Sequence, residues 1–174
     1  MIAPALFSSG TSEWETPRAL FARLHREFSF TLDVCATRSN HMCAAYFTPE
    51  QDGLHQRWTG ACWMNPPYGR SIGLWVANAH TESTGGTLVV GLLPARTDTT
   101  WWHDHVMKAR EIRLLRGRLT FVGASAPAPF PSAIAIFNRC RRRTPRVYGW
   151  DWRATTRQLE NPGRWNGRSP TELP

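Results

Sequence analysis

Four consecutive residues, Asn65-Pro66-Pro67-Tyr68, carry groups suited to holding a planar amine. They follow a short apolar run, residues 61–64, which predicts a buried strand that ends where the prolines begin. Each proline fixes its own φ angle and disfavours the helical region for the residue before it. The turn therefore presents the Asn65 amide and backbone carbonyls as preset acceptors, with an aromatic ring beside them. These features favour a site for an exocyclic amino group over the alternative, a proline-rich turn whose Tyr68 packs into the core.

A second polar side chain, Asp33, is expected to lie near Asn65. Residues 30–36 predict a strand that ends in small residues around this carboxylate. In an open α/β sheet, ligands bind beyond the carboxyl ends of the parallel strands. Because both side chains stand at the carboxyl ends of predicted strands of this kind, the sequence predicts one site that contains Asp33 and Asn65.

The remaining segments predict alternating helices and strands. Thr16 and Pro17 open an amphipathic helix, because proline is favoured at the first helical position and apolar residues recur at helical spacing through residue 28. Further helices are predicted for residues 71–80, 97–108 and 152–159. Further strands are predicted for residues 44–47, 87–93, 111–115, 118–122 and 132–138, the last two as a pair near the sheet edge.

This alternation predicts one α/β domain over residues 1–174, built on a doubly wound sheet that ends in an antiparallel strand pair. Residues 1–13 are expected to form a loose arm, and residues 160–174 a poorly ordered tail. The sequence shows no internal repeat and no linker. The oligomeric state is left open, with a monomer as the favoured interpretation.

The charge balance favours a polyanionic partner. With 21 Lys and Arg residues against 13 Asp and Glu residues, the chain has a formal net charge of +8. Nearly all of the positive charge is arginine, which suits bidentate contacts to phosphates and base edges. A solvated basic surface without a partner is the alternative.

Cysteine usage and hydropathy predict a cytoplasmic protein with no membrane segment. The four cysteines show no C-x-x-C spacing, which favours reduced thiols over disulfides or a zinc site. The first residues lack the charge pattern of a signal peptide, and no stretch is long and apolar enough to span a bilayer.

With these motifs together, the chain resembles the S-adenosylmethionine-dependent DNA N6-adenine methyltransferases, and in particular the small phage-encoded enzymes of the Dam type. The resemblance extends from about residue 13 to residue 137. It includes the segments 47–54, 93–98 and 117–132 in addition to the Asn-Pro-Pro-Tyr turn. It implies a Rossmann-like sheet of the class I methyltransferase type in a phage- or prophage-encoded protein.

The resemblance implies a cofactor pocket for S-adenosylmethionine, with S-adenosylhomocysteine as the product and no metal. Asp33 and Ala36 match an acidic-x-x-small pattern, although the usual glycine-containing loop after the first strand is replaced here by residues 36–40. Asp33 would lie close to the cationic methionine end, and Asp52 would accept from the cofactor's adenine amino group. The implied cofactor-binding residues are Thr16, Pro17, Asp33, Cys35, Ala36, Asp52, Gly53 and Asn65.

The resemblance also implies that the target adenine is flipped out of double-stranded DNA into the turn. The catalytic set is then Asn65, Pro66, Pro67 and Tyr68. Tyr68 would stack on one face of the base, and Phe130 on the other, with Phe121 as its competitor. Candidate DNA contacts are Arg70, Arg96, Arg116, Arg118 and the cluster 139–143.

Two other functions fit the same residues. The Asn-Pro-Pro-Tyr turn also suits methylation of RNA or of a protein glutamine, whose amines are planar too. A non-catalytic DNA-binding protein would share the basic and aromatic composition. The pair His103 and His105, near Asp98 and Asp104, could suggest a metal site, but nothing in methyl transfer needs a metal.

Overall fold

Seven strands form one mixed sheet in the computed structural model, which describes residues 14–139 and 144–154. The strand order is β2-β1-β3-β4-β6-β5-β7. Strands β1, β2, β3 and β4 pair in parallel, β6 runs antiparallel to both of its neighbours, and β7 is parallel to β5. The strands are β1 Leu32–Asp33, β2 Ala45–Tyr46, β3 Ala61–Met64, β4 Leu88–Pro94, β5 Glu111–Leu115, β6 Ser132–Phe137 and β7 Arg146–Trp150.

Helices α1 (Arg18–Phe28) and α2 (Ile72–Thr84) cover opposite faces of this sheet. Phe21 of α1 packs edge-on against Trp63 of β3, with ring centroids 5.5 Å apart. Side chains alternate between faces along a strand, so the neighbouring Cys62 points to the opposite face of the sheet. There, burial and the charge of Glu82 in α2 raise the pKa of the Cys62 thiol. The remaining helical elements are α3 Thr100–Asp104 and the 3-10 turns Pro49–Gln51, Gly53–His55 and Val106–Lys108.

The predicted helices and strands around the site are present, several with shorter bounds. Helix α1 begins directly after Pro17, buries Leu20, Phe21 and Leu24, and ends at Ser29 in the left-handed conformation. The strand predicted for residues 30–36 is shorter and limited to β1, although the backbone of Val34 still donates to Trp63 of β3 and that of Ala36 to Phe47, directly after β2. The helix predicted for residues 97–108 is interrupted at His105, whose φ of −128° leaves the helical region.

The strand predicted for residues 118–122 was wrong, and so was its pairing with residues 132–138 at the sheet edge. Residues 118–122 alternate buried and exposed like a strand, with Leu119 and Phe121 in the core. Their backbone, however, bonds to Ala128 and Glu15 rather than to a strand. Strand β6 lies inside the sheet between β4 and β5. The edge strand on this side is β7, which the sequence did not reveal because only Trp150 of its five residues is buried.

Some predictions fall outside the described part of the chain. These are the loose arm 1–13, the tail 160–174 and most of the basic cluster, since only Arg139 of residues 139–143 is described. The helix predicted for 152–159 is described only at residues 152–154, which form a turn.

A buried arginine joins α1 to the far half of the sheet. The Arg113 guanidinium of β5 binds Glu27 of α1 through two hydrogen bonds and donates to Glu111 at 2.6 Å. It also lies over the rings of Phe28 and Trp150, at 5.5 and 5.1 Å from their centroids. A cation held in this way depends on all of its partners, because removing one leaves a desolvated charge.

We expect Arg113→Met to lower the free energy of unfolding by about 2 kcal/mol, because it leaves Glu111 and Glu27 without their cation. Urea denaturation followed by circular dichroism measures the change. Arg116→Met is the matched control: Arg116 is 81% exposed and lies 3.6 Å from Asp151, so its loss should change stability by about 0.5 kcal/mol or less. Equal midpoints for Arg113→Met and the unmodified protein would contradict this role.

Candidate active site

The side chain of Asn65 stands at the carboxyl end of β3 with its amide in a defined orientation. Its Nδ2 donates to the backbone oxygen of Trp14 at 2.6 Å and to Oγ1 of Thr16 at 2.9 Å. Its Oδ1 is buried and has no hydrogen-bond partner within the described ranges. Nearly all buried polar atoms in proteins are hydrogen-bonded, so an unpartnered acceptor at a strand end indicates a place for a ligand donor.

This Oδ1 belongs to a residue that lines a cavity of about 600 Å³ at the carboxyl edge of β1 and β3. The cavity brings together most of the predicted cofactor-binding and catalytic residues. Of the predicted set, the cavity is lined by Thr16, Asp33, Cys35, Ala36, Asp52, Gly53, Asn65, Pro66 and Pro67. Pro17, Tyr68, Phe130 and the predicted arginines are not part of its lining.

Asp33 contributes a buried carboxylate to this cavity. Its Oδ2 accepts from the backbone of Met42 at 3.0 Å and its Oδ1 from that of Cys35 at 3.4 Å. Burial raises the pKa of Asp33 from 3.8 to about 6, although these hydrogen bonds and the charge of His41 oppose the increase. The folded state therefore binds this proton more tightly than the unfolded state. The resulting stabilisation is complete below about pH 4 and is lost as the pH rises through about 6.

Asp52 and Gly53 line the cavity through a tight turn. Asp52 has a φ of 50°, accepts from the backbone of Leu54 at 3.3 Å and pairs with Nδ1 of His55 at 2.6 Å. A Cβ atom on Gly53 would lie 2.1 Å from the backbone oxygen of Val34. Because Val34 directly follows β1, this contact fixes the distance between the turn and the strand end that carries Asp33.

Tyr68 lies in an aromatic cluster behind the cavity. The ring is 7% exposed, and its hydroxyl donates to the backbone oxygen of Leu92 at 3.1 Å. Burial raises the pKa of Tyr68 well above its ordinary value, with a smaller effect from Cys35. Phe130 and Phe121 pack edge-on against the ring at 5.7 and 6.1 Å. The structure thus places Tyr68 and both candidate phenylalanines together, but within the core.

The residue that joins this cluster to the cavity, Trp14, was not anticipated from the sequence. Its ring lies 5.0 Å from Phe121 and 5.1 Å from Phe130, and it also lines the cavity. The signal available in the sequence was a lone tryptophan two residues before the Thr-Pro pair, directly after the segment interpreted as a loose arm. Other cavity residues to which the sequence assigned no role in a site are Met42, Trp75 and Val122.

The predicted DNA-contacting arginines lie on the surface, outside the cavity. Arg70, Arg116 and Arg118 are exposed, and Arg96 is half-buried. Arg70 follows the Asn-Pro-Pro-Tyr turn directly, and Arg96 follows the carboxyl end of β4. These two therefore lie at the same edge of the sheet as the cavity. Arg116 directly follows β5, which runs in the same direction as β4 and so ends at this edge too, and it pairs with Asp151.

Three further observations concern the chemistry of the chain. In the described part, no group of three or more His, Cys, Asp or Glu side chains is placed to hold a metal ion. Cys35, Cys43 and Cys62 are free thiols, and burial raises the pKa of Cys43 and of Cys62 to about 12. None of the described helices is long and apolar enough to cross a bilayer.

Fold and site together define a class: a mixed α/β protein whose ligand cavity lies at the carboxyl ends of parallel strands, with an acceptor-bearing proline turn in its wall. The profile of one family, DNA N-6-adenine-methyltransferase (Dam), matches residues 6–139. The chain belongs to this family, which confirms the family predicted from the sequence motifs.

Two phage proteins named DNA N-6-adenine-methyltransferase are similar to this chain. The protein of Haemophilus phage HP1 is 33% identical over 113 residues, which cover 63% of this chain and 65% of the phage protein. The protein of Escherichia phage T1 is 32% identical over 111 residues, which cover 62% of this chain and 46% of the phage protein. The matched part of the chain thus spans less than two thirds of the length of either relative.

Proposed function

We propose that this chain transfers a methyl group from S-adenosylmethionine to N6 of a flipped-out adenine in double-stranded DNA. The observation that carries the proposal is the buried Oδ1 of Asn65, which lacks a partner among the described residues and belongs to the wall of a cavity of about 600 Å³. Leaving a buried acceptor unpaired costs free energy, so such an atom suits a ligand that supplies an N–H. Membership of the family supports the same chemistry.

The finer fold assignment belongs to this proposal. A Rossmann-like, doubly wound sheet of the class I methyltransferase type is supported by the parallel strands β1 to β4 and by helices on both faces. The antiparallel β6 between β4 and β5 replaces the edge pair predicted for residues 118–122 and 132–138. Residues 1–174 would form one such domain, in a cytoplasmic, phage- or prophage-encoded protein.

The cavity residues fit the cofactor chemically. When bound, S-adenosylmethionine supplies an electrophilic methyl group on a sulfonium centre. Asp33, once ionised, would hold the cationic methionine end, and Asp52 would accept from the adenine amino group. Thr16, Cys35, Ala36 and Gly53 would supply wall and backbone contacts, and Pro17 would support them from the start of α1.

Asn65 and Pro66 act on the target amine. The adenine N6 is a poor nucleophile because its lone pair is delocalised into the ring. The Asn65 Oδ1 and the Pro66 carbonyl oxygen would accept its two N–H bonds, which localises the lone pair toward the methyl group. Transfer would form an N–C bond at N6 as the S–C bond of the donor breaks, with the electron pair kept by sulfur and one N6 proton released to solvent. Asn suits this role because its acceptor needs no change of protonation.

The aromatic cluster would hold the flipped base. Tyr68 and Phe130 remain the predicted stacking residues, with Phe121 as the alternative. Trp14 packs against both phenylalanines, with ring centroids 5.0 and 5.1 Å away, and also lines the cavity, so it links the cavity to these rings. Flipping costs a few kcal/mol of stacking and pairing, which contacts to this cluster would offset.

The duplex would contact the surface around the cavity mouth. The net charge of +8 favours a nucleic acid, and Arg70 and Arg96 lie at the correct edge of the sheet. Arg116 and Arg118 would reach the flanking phosphates.

A side-by-side transfer assay distinguishes the candidate functions. Tritium from labelled S-adenosylmethionine is measured on duplex DNA, structured RNA and a protein mixture. We expect incorporation into DNA, with N6-methyladenine as the product. Labelling of RNA or protein glutamine without DNA would reject the DNA substrate. Binding of DNA with no binding of S-adenosylhomocysteine in calorimetry would favour a non-catalytic protein.

The raised pKa of Asp33 predicts a pH dependence of cofactor affinity. The ionised carboxylate attracts the cationic methionine end, and it is protonated below about pH 6. We therefore expect the dissociation constant of S-adenosylhomocysteine to rise about tenfold from pH 7 to pH 5. Calorimetry at pH 5, 6 and 7 measures it. Asp33→Asn should bind weakly with little dependence on pH, and an unchanged pH profile in that variant would assign the effect to another group.

A further inference from the structure

The amide of Asn65 is held by two acceptors from one segment of the chain. The backbone oxygen of Trp14 lies 2.6 Å from Nδ2, and Oγ1 of Thr16 lies 2.9 Å from the same atom. In sequence, Asn65 is 51 positions from Trp14 and 49 positions from Thr16. An amide nitrogen has two N–H donors, so both are used within the protein.

The chemistry of Trp14 fixes which end of the amide faces it. A backbone carbonyl oxygen is an acceptor only, so a rotated Asn65 would place Oδ1 at 2.6 Å from another acceptor. The amide is planar, so Oδ1 lies on the side opposite the carbonyl of Trp14. Oδ1 is also the atom that is buried without a partner in the described ranges.

We infer that Thr16 is a positioning residue. Its hydroxyl holds the side-chain amide of Asn65 so that Oδ1 faces the target amine. This role rests on the proposed function and differs from the predicted direct contact of Thr16 with the cofactor. Thr16 is 3% exposed, so its hydroxyl is shielded from competing water. Losing this acceptor leaves one buried N–H of Asn65 unpaired and the carbonyl of Trp14 as the remaining acceptor, so the amide is held less firmly.

The segment from Trp14 to Thr16, which holds the Asn65 amide, is itself bonded to two other parts of the structure. The backbone oxygen of Glu15, between the two acceptors, accepts from the backbone N–H of Val122 at 3.0 Å. Thr16 is followed by Pro17, whose carbonyl oxygen accepts from Leu20 and Phe21 in the first turn of α1. The position of the Thr16 hydroxyl is thus set from both sides, by α1 and by the segment 118–122.

The test compares Thr16→Val, which replaces the hydroxyl with a methyl group of similar size, with Thr16→Ser, which keeps the acceptor. At saturating cofactor and DNA, kcat should fall about tenfold in Thr16→Val, the effect of one hydrogen bond, and stay within about twofold in Thr16→Ser. The KM for DNA and the dissociation constant of S-adenosylhomocysteine should stay within about twofold in both. Equal losses in both variants, or a loss confined to cofactor affinity, would overturn the inference.

A second readout does not depend on activity. The side-chain NH₂ signals of Asn65 are assigned in ¹⁵N-labelled protein by their disappearance in Asn65→Ala. Their hydrogen exchange should be slow in the unmodified protein and in Thr16→Ser, and clearly faster in Thr16→Val. Equal exchange rates in all three proteins would contradict the positioning role of Thr16. If the unmodified protein methylates no substrate, the proposed function fails while this measurement still decides the orientation of Asn65.

Discussion

Replacing Asn65 with alanine is expected to lower the rate of methyl transfer by a factor on the order of 10² to 10³. The variant loses Oδ1, the buried acceptor that has no partner in the described part of the chain. A preset acceptor stabilises the charge that develops on the target nitrogen. A water molecule in the space left by the side chain would not be oriented toward that nitrogen. Rates with a saturating duplex substrate and labelled S-adenosylmethionine measure the effect.

Binding should survive this change, which separates catalysis from folding. We expect DNA affinity, measured by fluorescence anisotropy, to remain close to that of the unmodified protein. Asn138→Ala is the matched control, because Asn138 follows β6, whose antiparallel direction places it at the opposite edge of the sheet. Its rate should be unchanged. An Asn65→Ala variant with the full rate would refute the proposed catalytic site.

Replacing Gly53 with alanine should have the largest effect on stability, lowering the free energy of unfolding by about 3 kcal/mol. The new Cβ would lie 2.1 Å from the backbone oxygen of Val34 and 3.2 Å from the Trp75 ring. Neither the strand end nor the packed ring yields easily, so the turn must move. The bond from Trp58 Nε1 to the Gly53 oxygen, 2.7 Å long, would be strained with it.

The displacement should also reach the cavity, since Gly53 and Asp52 form part of its wall. We expect weaker binding of S-adenosylhomocysteine in calorimetry, together with a lower midpoint in urea. Gly149→Ala in β7 is the control, because no atom lies within 4 Å of its added Cβ. If Gly53→Ala and Gly149→Ala unfold at the same denaturant concentration, the close approach of the turn to β1 is wrong.

The sequence by itself determined where the chemically active groups would meet. Asp33 and Asn65 each follow an apolar run, and the carboxyl ends of parallel neighbouring strands lie at one edge of a sheet. Helix α1 could also be predicted from the sequence, because Pro17 and the spacing of Leu20, Phe21 and Leu24 are local features. The family followed from the same motifs. Such predictions depend on interactions within a few residues of the chain.

Only the tertiary structure decided which way the polar atoms point and which rings are covered. The orientation of the Asn65 amide depends on acceptors at Trp14 and Thr16, about 50 residues away, and no local pattern encodes that contact. Tyr68 was predicted to face the ligand, yet its ring lies in the core beside Phe130, and its stacking role stays a prediction. Residues 118–122 have the alternation of a strand, but the positions on both sides of β6 are already occupied by β4 and β5. Periodicity specifies which side chains are buried, whereas the partners that bury them are set by packing between distant segments.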